Sequence, residues 1–271
     1  MFPTLPWPQI SRRALPCMKQ GFQTVRILGI DFFNDHLDSA LDFAHSKGGV
    51  ILAPSGPGLS EIGNNPQYDE ALKNADLNLI DSGYLALLWK RKTGVQVNRH
   101  SGLKFIKALI ESNTFKAGHS SQLWVMPNRE ESESARRYLN QNGLPLAENS
   151  FYIAPRYALP AVEDHALLER LRQQKPHYII LAIAGGKQEI LGYWLRQHLD
   201  YRPSIICIGA AIAFLSGHQA NIPAWADRIY VGWLLRILKN PKTFIPRYWK
   251  ARKLRRLLMD FNERPEPPIV E

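Results

Sequence analysis

The octapeptide Ala-Ile-Ala-Gly-Gly-Lys-Gln-Glu, residues 182–189, comes directly after the apolar tetrapeptide Tyr-Ile-Ile-Leu, residues 178–181. The tetrapeptide has the length and β-branched content of a buried strand, and residues 190–198 have a helix-like pattern. Two glycines and a Lys-Gln-Glu triplet therefore stand where a strand ends and a helix begins, which in open α/β sheets is the edge that binds ligands. Glycine lets a backbone approach a ligand closely, and a helix N-terminus attracts anions. Taken alone, the junction is equally compatible with a tight turn that carries solvated polar residues.

Strand-like and helix-like segments alternate along most of the chain. Apolar runs that predict strands cover residues 25–32, 50–53, 77–80, 122–126, 150–154, 178–184 and 204–209. Segments that predict helices cover residues 35–46, 68–75, 85–92, 103–112, 129–140, 162–174 and 190–198. This alternation predicts an α/β, Rossmann-like fold, with a mostly parallel sheet and helices on both of its faces.

Composition divides the chain into three regions. Residues 1–24 are basic and rich in proline, and we expect them to be irregular. Residues 25–220 carry the α/β pattern, and residues 221–271 predict a basic helical appendage followed by a polar tail. Only Cys17 and Cys207 are cysteines, which predicts no disulfide framework and a reducing compartment. No apolar run reaches the roughly 18 residues that a membrane span needs, so we expect a cytoplasmic protein.

The positive charge is concentrated near the C-terminus. The chain has a formal net charge of +10, and residues 236–256 contain nine basic residues and no acidic one. Such a cluster suits a phosphate-rich partner, which could be an anionic membrane, a nucleotide or a nucleic acid. Because Tyr248 and Trp249 lie within the basic stretch, the sequence favours an interface over a merely solvated basic face.

Three polar loops follow predicted strands, and in a doubly wound sheet they meet at one edge. They contain Ser55, Asp81 and the Gly185–Glu189 segment, in which Gln188 can form hydrogen bonds. A carboxylate such as Asp81 can accept a proton from a substrate hydroxyl, although it could equally cap the following helix. Neither a metal-ligand spacing nor a dinucleotide or phosphate-loop motif occurs, so we expect no metal and no cofactor.

Several segments resemble known family motifs, in order and with matching spacing. Residues 185–189 resemble the Gly-x-Pro-Lys-Gln-Glu motif of the WecG/TagA/CpsF family of bacterial glycosyltransferases. Residues 209–217 resemble its Gly-Ala-x-Phe-Asp-Phe-x-x-Gly motif, and residues 74–81 resemble its Ala-Asp-Leu-x-x-x-Asp-Gly motif. Its closing motifs are matched at Trp225, at residues 233–236, at Pro241 and at residues 247–248.

The resemblance implies an activity. Members transfer a sugar, with inversion, from a UDP-sugar donor to a polyprenol-diphosphate-linked acceptor. They work on the inner face of the cytoplasmic membrane, in the biosynthesis of exopolysaccharide, capsule or wall polymers. The transferred sugar would be a hexose or an N-acetylhexosamine, with no catalytic metal and no cofactor. The resemblance places the catalytic base at Asp81. It implies that substrate binding involves Ser55, Gly185, Gly186, Lys187, Gln188, Glu189, Arg236 and Arg247.

The sequence departs from the family pattern at Ala53, Ala213 and Thr243. These departures fall in motifs that face the sugar and the acceptor. They keep open an alternative function, that of a non-catalytic member that binds lipid-linked saccharide or scaffolds a polysaccharide assembly complex. We expect an anionic membrane surface as a partner and no nucleic acid, and the sequence leaves open whether the chain forms a homo-oligomer.

The C-terminal segment carries two apolar groups. The first is Ile245, Tyr248 and Trp249; the second is Leu254, Leu257, Leu258 and Phe261. At 100° per residue the two groups face nearly opposite directions on one straight helix. We therefore expect one group to pack on the α/β domain and the other to meet lipid, unless Pro246 interrupts the helix near its start.

Overall fold

The computed structural model describes residues 17–19, 21–117, 121–218, 249 and 252–261. Two predicted site residues, Arg236 and Arg247, lie outside these described residues, as do the segment before residue 17 and most of the predicted appendage.

Strands in the described part of the chain form two sheets. Three short strands near the N-terminus form an antiparallel sheet in the order β1-β2-β3: β1 (Cys17–Lys19), β2 (Phe22–Ile27) and β3 (Ile30–Phe33). Six strands form the main sheet, and every pair in it is parallel. They are β4 (Gly49–Leu52), β5 (Leu77–Asn78), β6 (Gln122–Met126), β7 (Phe151–Ile153), β8 (Tyr178–Leu181) and β9 (Ser204–Cys207). The predicted α/β class with a mostly parallel sheet is confirmed.

The strand order of the main sheet is β5-β4-β9-β8-β6-β7. The first strand of this sheet along the chain is β4, and the last, β9, lies between β4 and β8. Leu52, Cys207 and Leu181 are aligned across these three strands, so the strands end at the same level. The loops after β4, β5, β8 and β9 therefore come together at one edge, called here the carboxyl edge.

Helices cover both faces of the main sheet. In chain order they are α1 (Leu37–Ser46), α2 (Gly56–Leu59), α3 (Pro66–Asn74), α4 (Gly83–Thr93), α5 (Gly102–Glu111), α6 (Asn113–Lys116), α7 (Arg129–Gln141), α8 (His165–Gln174), α9 (Lys187–His198), α10 (Ala211–Leu215) and α11 (Lys253–Asp260). Strand residues alternate between two apolar cores, as the pleat requires: Ile179 and Leu181 face one core, and Tyr178 and Ile180 face the other.

The first strand differs from its prediction. Residues 25–32 were expected to form a single strand, but the chain turns back within them and forms the β2–β3 hairpin. The turn lies at Leu28 and Gly29, whose φ angles are 57° and 72°, and Ile27 pairs with Ile30 across it. Two consecutive left-handed residues match the right-handed twist of the flanking strands. Strand structure also begins at Cys17, earlier than the irregular segment of residues 1–24 implies.

Several boundaries are set by local capping. Ser55 starts α2, which the sequence reading treated as a loop, by accepting a hydrogen bond from the N–H of Gly58 at 3.4 Å. Asp164 accepts a hydrogen bond from the N–H of Leu167 at 2.9 Å, so α8 begins at residue 165 and not at 162. Likewise α9 begins at Lys187, three residues earlier than predicted.

The C-terminal helix α11 packs against α4. Leu254 and Leu258 are buried in the core on that face and Leu257 packs beside them, as expected for one apolar group, whereas Phe261 of the same group is 40% exposed. The ammonium group of Lys92 on α4 donates to the carbonyl oxygen of Phe261 at 2.9 Å and also to that of Leu258, near the end of α11. Trp249 is 67% exposed. Within the described residues, no helix has both the length and the apolar character needed to cross a bilayer.

Candidate active site

The β8–α9 junction lies at the carboxyl edge, beside the loop after β4. Gly185 is exposed, whereas Gln188 and Glu189 lie beneath it and are buried. A Cβ atom added to Gly185 would lie 3.9 Å from Ser55 Oγ and 4.0 Å from Glu189 Oε1. Gly185 thus brings the backbone close to two polar side chains, from the β4 loop and from α9.

The junction is held by its own hydrogen bonds. Gly186 adopts a φ of +87°, a conformation that favours glycine, and its N–H donates to Glu189 Oε2 at 2.6 Å. The N–H groups of Lys187 and Gln188 both donate to the carbonyl oxygen of Ala184, at 3.3 and 3.2 Å. Because these three N–H groups have acceptors within the junction, the positive charge for an anionic ligand must come mainly from side chains and from the helix dipole.

Gln188 connects two loops of the carboxyl edge. Its Oε1 accepts a hydrogen bond from the N–H of Gly209, after β9, at 2.7 Å. Its Nε2 donates to Glu189 Oε1 at 3.2 Å, so the amide group is used on both sides. Substitution at Gln188 would therefore disturb the geometry of both the β8 and the β9 loops.

Glu189 is a buried carboxylate with both of its oxygens engaged. Burial raises the pKa of Glu189, while hydrogen bonds from Gln188 and from the backbone only partly oppose the rise. The negative charge of Asp81 adds a smaller rise in the same direction. Its contacts make Glu189 a residue that fixes the shape of the junction.

Asp81 follows β5 and contacts a different helix from the one expected. Its Oδ1 accepts a hydrogen bond from the N–H of Gly102, the first residue of α5, at 2.9 Å. Its carbonyl oxygen accepts from Arg99 Nε at 2.9 Å. The helix that follows Asp81 in the chain, α4, is capped instead by Ser82, whose Oγ accepts from the N–H of Leu85 at 3.1 Å. Asp81 is half-buried, and its carboxylate lies at the N-terminus of α5, where negative charge is favoured.

The approach of α5 to the sheet depends on small residues. A Cβ atom added to Gly102 would lie 3.1 Å from the Cβ atom of Ala53 and 3.5 Å from the carbonyl oxygen of Ile208. Ala53 is one of the departures from the family pattern, and a larger side chain there would press on α5 and displace the N–H that Asp81 binds. Ala213, another departure, is buried in α10.

Tyr68 was missed by the sequence reading of the site. Its hydroxyl is fully buried and finds no hydrogen-bond partner among the described residues, and burial raises its pKa well above the usual value. A Cβ atom added to Gly58 would lie 2.9 Å from this hydroxyl and 3.5 Å from Ser55 Oγ, so the two hydroxyls flank the same glycine. The only sequence signal was that Tyr68 begins the apolar face of α3.

The predicted site residues thus fall into three sets. Ser55, Asp81, Gly185, Gly186, Gln188 and Glu189 lie together at the carboxyl edge. Lys187 is directed to a neighbouring loop, where its ammonium group donates to the carbonyl oxygen of Tyr157. Arg236 and Arg247 lie outside the described residues. Among the described residues, no group of three or more His, Cys, Asp and Glu side chains is placed to hold a metal ion.

Comparison with known proteins places the chain in a family. A model of the glycosyl transferase WecG/TagA/CpsF family matches residues 25–264, which is most of the chain. The search of curated proteins finds no match. The family match covers the whole main sheet and all the residues of the carboxyl edge described above, and the resemblance of the motifs is confirmed. The chain belongs to the WecG/TagA/CpsF family of glycosyltransferases.

Proposed function

We propose that the protein transfers a hexose or an N-acetylhexosamine from a UDP-sugar to a polyprenol-diphosphate-linked saccharide, with inversion, in the biosynthesis of exopolysaccharide, capsule or wall polymers. The observation that carries the proposal is the position of Asp81. Its carboxylate lies at the carboxyl edge. The adjacent Ser82 lies against Gly56, and Ser55 lies beside Gly185 of the β8–α9 junction. A proton acceptor and a backbone that a ligand can approach are the two parts that such a transfer needs.

In the proposed reaction Asp81 accepts the proton of the acceptor hydroxyl. The acceptor oxygen forms a bond to the anomeric carbon of the donor sugar from the face opposite UDP. The bond between that carbon and the phosphate oxygen breaks, and UDP leaves with the electron pair. A single displacement of this kind inverts the configuration, and the negative charge that develops on the diphosphate of the leaving UDP requires cationic groups nearby.

The donor would lie against Gly185 and Gly186, over the buried pair Gln188 and Glu189. Three N–H groups of the junction, those of residues 186–188, already have acceptors within it. We therefore assign the diphosphate to Arg236 and Arg247. Arginine binds phosphate oxygens through two parallel N–H donors, which lysine cannot reproduce. Arg236→Ala and Arg247→Ala should each weaken UDP binding, and an unchanged UDP affinity in both variants would remove these residues from the donor site.

The acceptor's lipid anchor implies work at a membrane surface, and we assign the protein to the inner face of the cytoplasmic membrane. The described end of the chain supports this assignment, since Trp249 and Met259 are exposed beside the basic side chains of Arg252, Arg255 and Arg256. Each basic side chain near an anionic surface contributes about 1 kcal/mol of binding. The protein should sediment with anionic vesicles at low salt and be released at high salt, because salt screens exposed charges. Equal sedimentation with uncharged vesicles would contradict the electrostatic part of this assignment.

A donor screen tests the activity directly. The full-length protein would be mixed with a panel of UDP-sugars and a short-chain lipid-diphosphate saccharide, and UDP release would be measured. We expect one donor to give acceptor-dependent UDP release. If UDP binds but no donor is turned over with any acceptor, the non-catalytic alternative replaces the transferase.

A further inference from the structure

A concave surface lies between the end of α2, the start of α4 and the C-terminal segment. Its volume is about 910 Å³, and it is called here the basic groove. Among the described residues that line it, four from the C-terminal segment are basic and one, Glu61, is acidic. Glu61 itself accepts a hydrogen bond from Asn64 Nδ2 at 2.9 Å. The groove therefore presents an excess of positive charge, and small-molecule sites have volumes of about 300–1,000 Å³.

Two lining residues of the basic groove follow proposed site residues closely along the chain. Ser60, which lines it, ends the short helix α2 that Ser55 begins. Four helical residues span only about 6 Å. Tyr84, which also lines the groove, is the second residue of α4 and follows Asp81 by three positions. The groove is therefore built in part from α2 and α4, the helices that follow Ser55 and Asp81 in the chain.

The lining combines two chemistries. Arg252, Arg255 and Arg256 can bind phosphate oxygens. Trp249 and Met259, which also line the groove, are large apolar side chains exposed to 67% and 53%, and the guanidinium group of Arg252 lies 4.3 Å from the centre of the Trp249 ring. A free nucleotide or inorganic phosphate would bind the arginines and leave the apolar side chains exposed to solvent. A diphosphate with an attached hydrocarbon chain would cover both.

We propose that the basic groove is the subsite for the diphosphate and the first prenyl units of the acceptor lipid. The saccharide of the acceptor would then extend along α2 and α4 toward Asp81. The inference rests on the proposed function for the identity of the acceptor, and it adds where that acceptor is held. In this arrangement the arginines of α11 bind the acceptor's diphosphate, and the donor's diphosphate binds elsewhere.

The test measures binding of soluble probes to the full-length protein in the absence of membranes. The probes are farnesyl diphosphate, farnesol, inorganic pyrophosphate and UDP. Arg255→Ala/Arg256→Ala removes two exposed arginines of the groove. Arg129→Ala/Arg136→Ala removes the same charge from exposed positions on α7 and serves as the control. Charge-assisted contacts predict that the groove variant loses about tenfold or more in affinity for farnesyl diphosphate, with the control unchanged.

Trp249→Ala tests the apolar half of the groove. It should weaken binding of farnesyl diphosphate and leave binding of inorganic pyrophosphate unchanged.

An equal loss of affinity for farnesyl diphosphate in the groove and control variants would overturn the inference, because only overall charge would then matter. Farnesyl diphosphate that binds no more tightly than inorganic pyrophosphate would overturn it too. UDP affinity separates the two proposals: it should stay constant in these variants, and a wild-type protein without UDP binding would refute the donor assignment while leaving the groove result intact.

Discussion

Asp81→Asn separates two roles of one side chain, of which one is observed and the other proposed. Asp81 Oδ1 accepts the hydrogen bond of the Gly102 N–H at 2.9 Å, and it is also the proposed base. Asparagine keeps a carbonyl oxygen for that N–H but cannot take a proton from an acceptor hydroxyl. The stability change is the difference between a charged and a neutral hydrogen bond plus a helix-dipole contribution, together about 1 kcal/mol. Turnover should fall by about 100-fold or more, the usual effect of losing a general base.

The measurement pairs acceptor-dependent UDP release with urea unfolding of the same preparation. Asp81→Ala should lower turnover equally, and it should cost about 0.5–2 kcal/mol of stability because the Gly102 N–H loses its acceptor. Ser82→Ala is a matched control, since it removes the cap of α4 at a similar cost in stability and should retain turnover. Turnover near the wild-type value in folded Asp81→Asn would refute the reasoning and leave Asp81 with a structural role.

Three further outcomes follow from buried groups. Tyr68→Phe removes a buried hydroxyl that has no partner among the described residues, so thermal unfolding should show equal or higher stability, whereas a marked loss would reveal an unrecognised partner. Leu254→Ala should weaken docking of α11 by about 2–5 kcal/mol, which would appear as faster amide exchange across Lys253–Asp260. Burial raises the pKa of the Glu189 carboxyl group in the folded protein above 4.5, its value in an unfolded chain. The protonated carboxyl group therefore stabilises the fold fully below pH 4.5, and this stabilisation is lost as the pH rises through the folded pKa. Glu189→Gln should remove this part of the pH dependence, and an unchanged pH profile of the unfolding free energy would contradict the burial argument.

The parallel sheet could be predicted because its strands are short apolar runs separated by helical segments. Buried strands such as β8 are apolar on both faces, and β9 is apolar except for Ser204, so both differ clearly from the amphipathic helical segments around them. The order of the strands could not be read from the sequence, because it depends on how β9 inserts between β4 and β8 at the end of the domain.

The errors in the fold come from backbone conformations that residue type does not reveal. Leu28 adopts a positive φ, which is rare for an apolar residue, so Gly29 alone indicated the turn that divides residues 25–32 into two strands. The segment Pro54-Ser55-Gly56-Pro57-Gly58 has the composition of a loop. It nonetheless contains a helix start, because Ser55 supplies a cap and Pro57 fits the first turn.

The site could be predicted as a set of residue types but not as a set of contacts. The strand-end rule brought Asp81 and the 185–189 segment to one edge, but the partner of Asp81 lies 21 residues further along the chain. The burial of Glu189 and of the Tyr68 hydroxyl arises from packing between α3, α9 and the β4 loop. Such packing has no periodicity that a single sequence displays.

The contrast between the two carboxyl groups supports Asp81 over Glu189 as the proposed base. A general base must be ionised at the working pH and must come within hydrogen-bond reach of the proton that it takes. Glu189 meets neither condition well, since burial raises its pKa and its two oxygens already accept hydrogen bonds from Gly186 and Gln188. Asp81 is half-buried and lies at the N-terminus of α5, where the helix dipole favours its charge. We therefore propose a division of roles between two carboxyl groups in different environments: Glu189 holds the junction in shape, and Asp81 would take the proton.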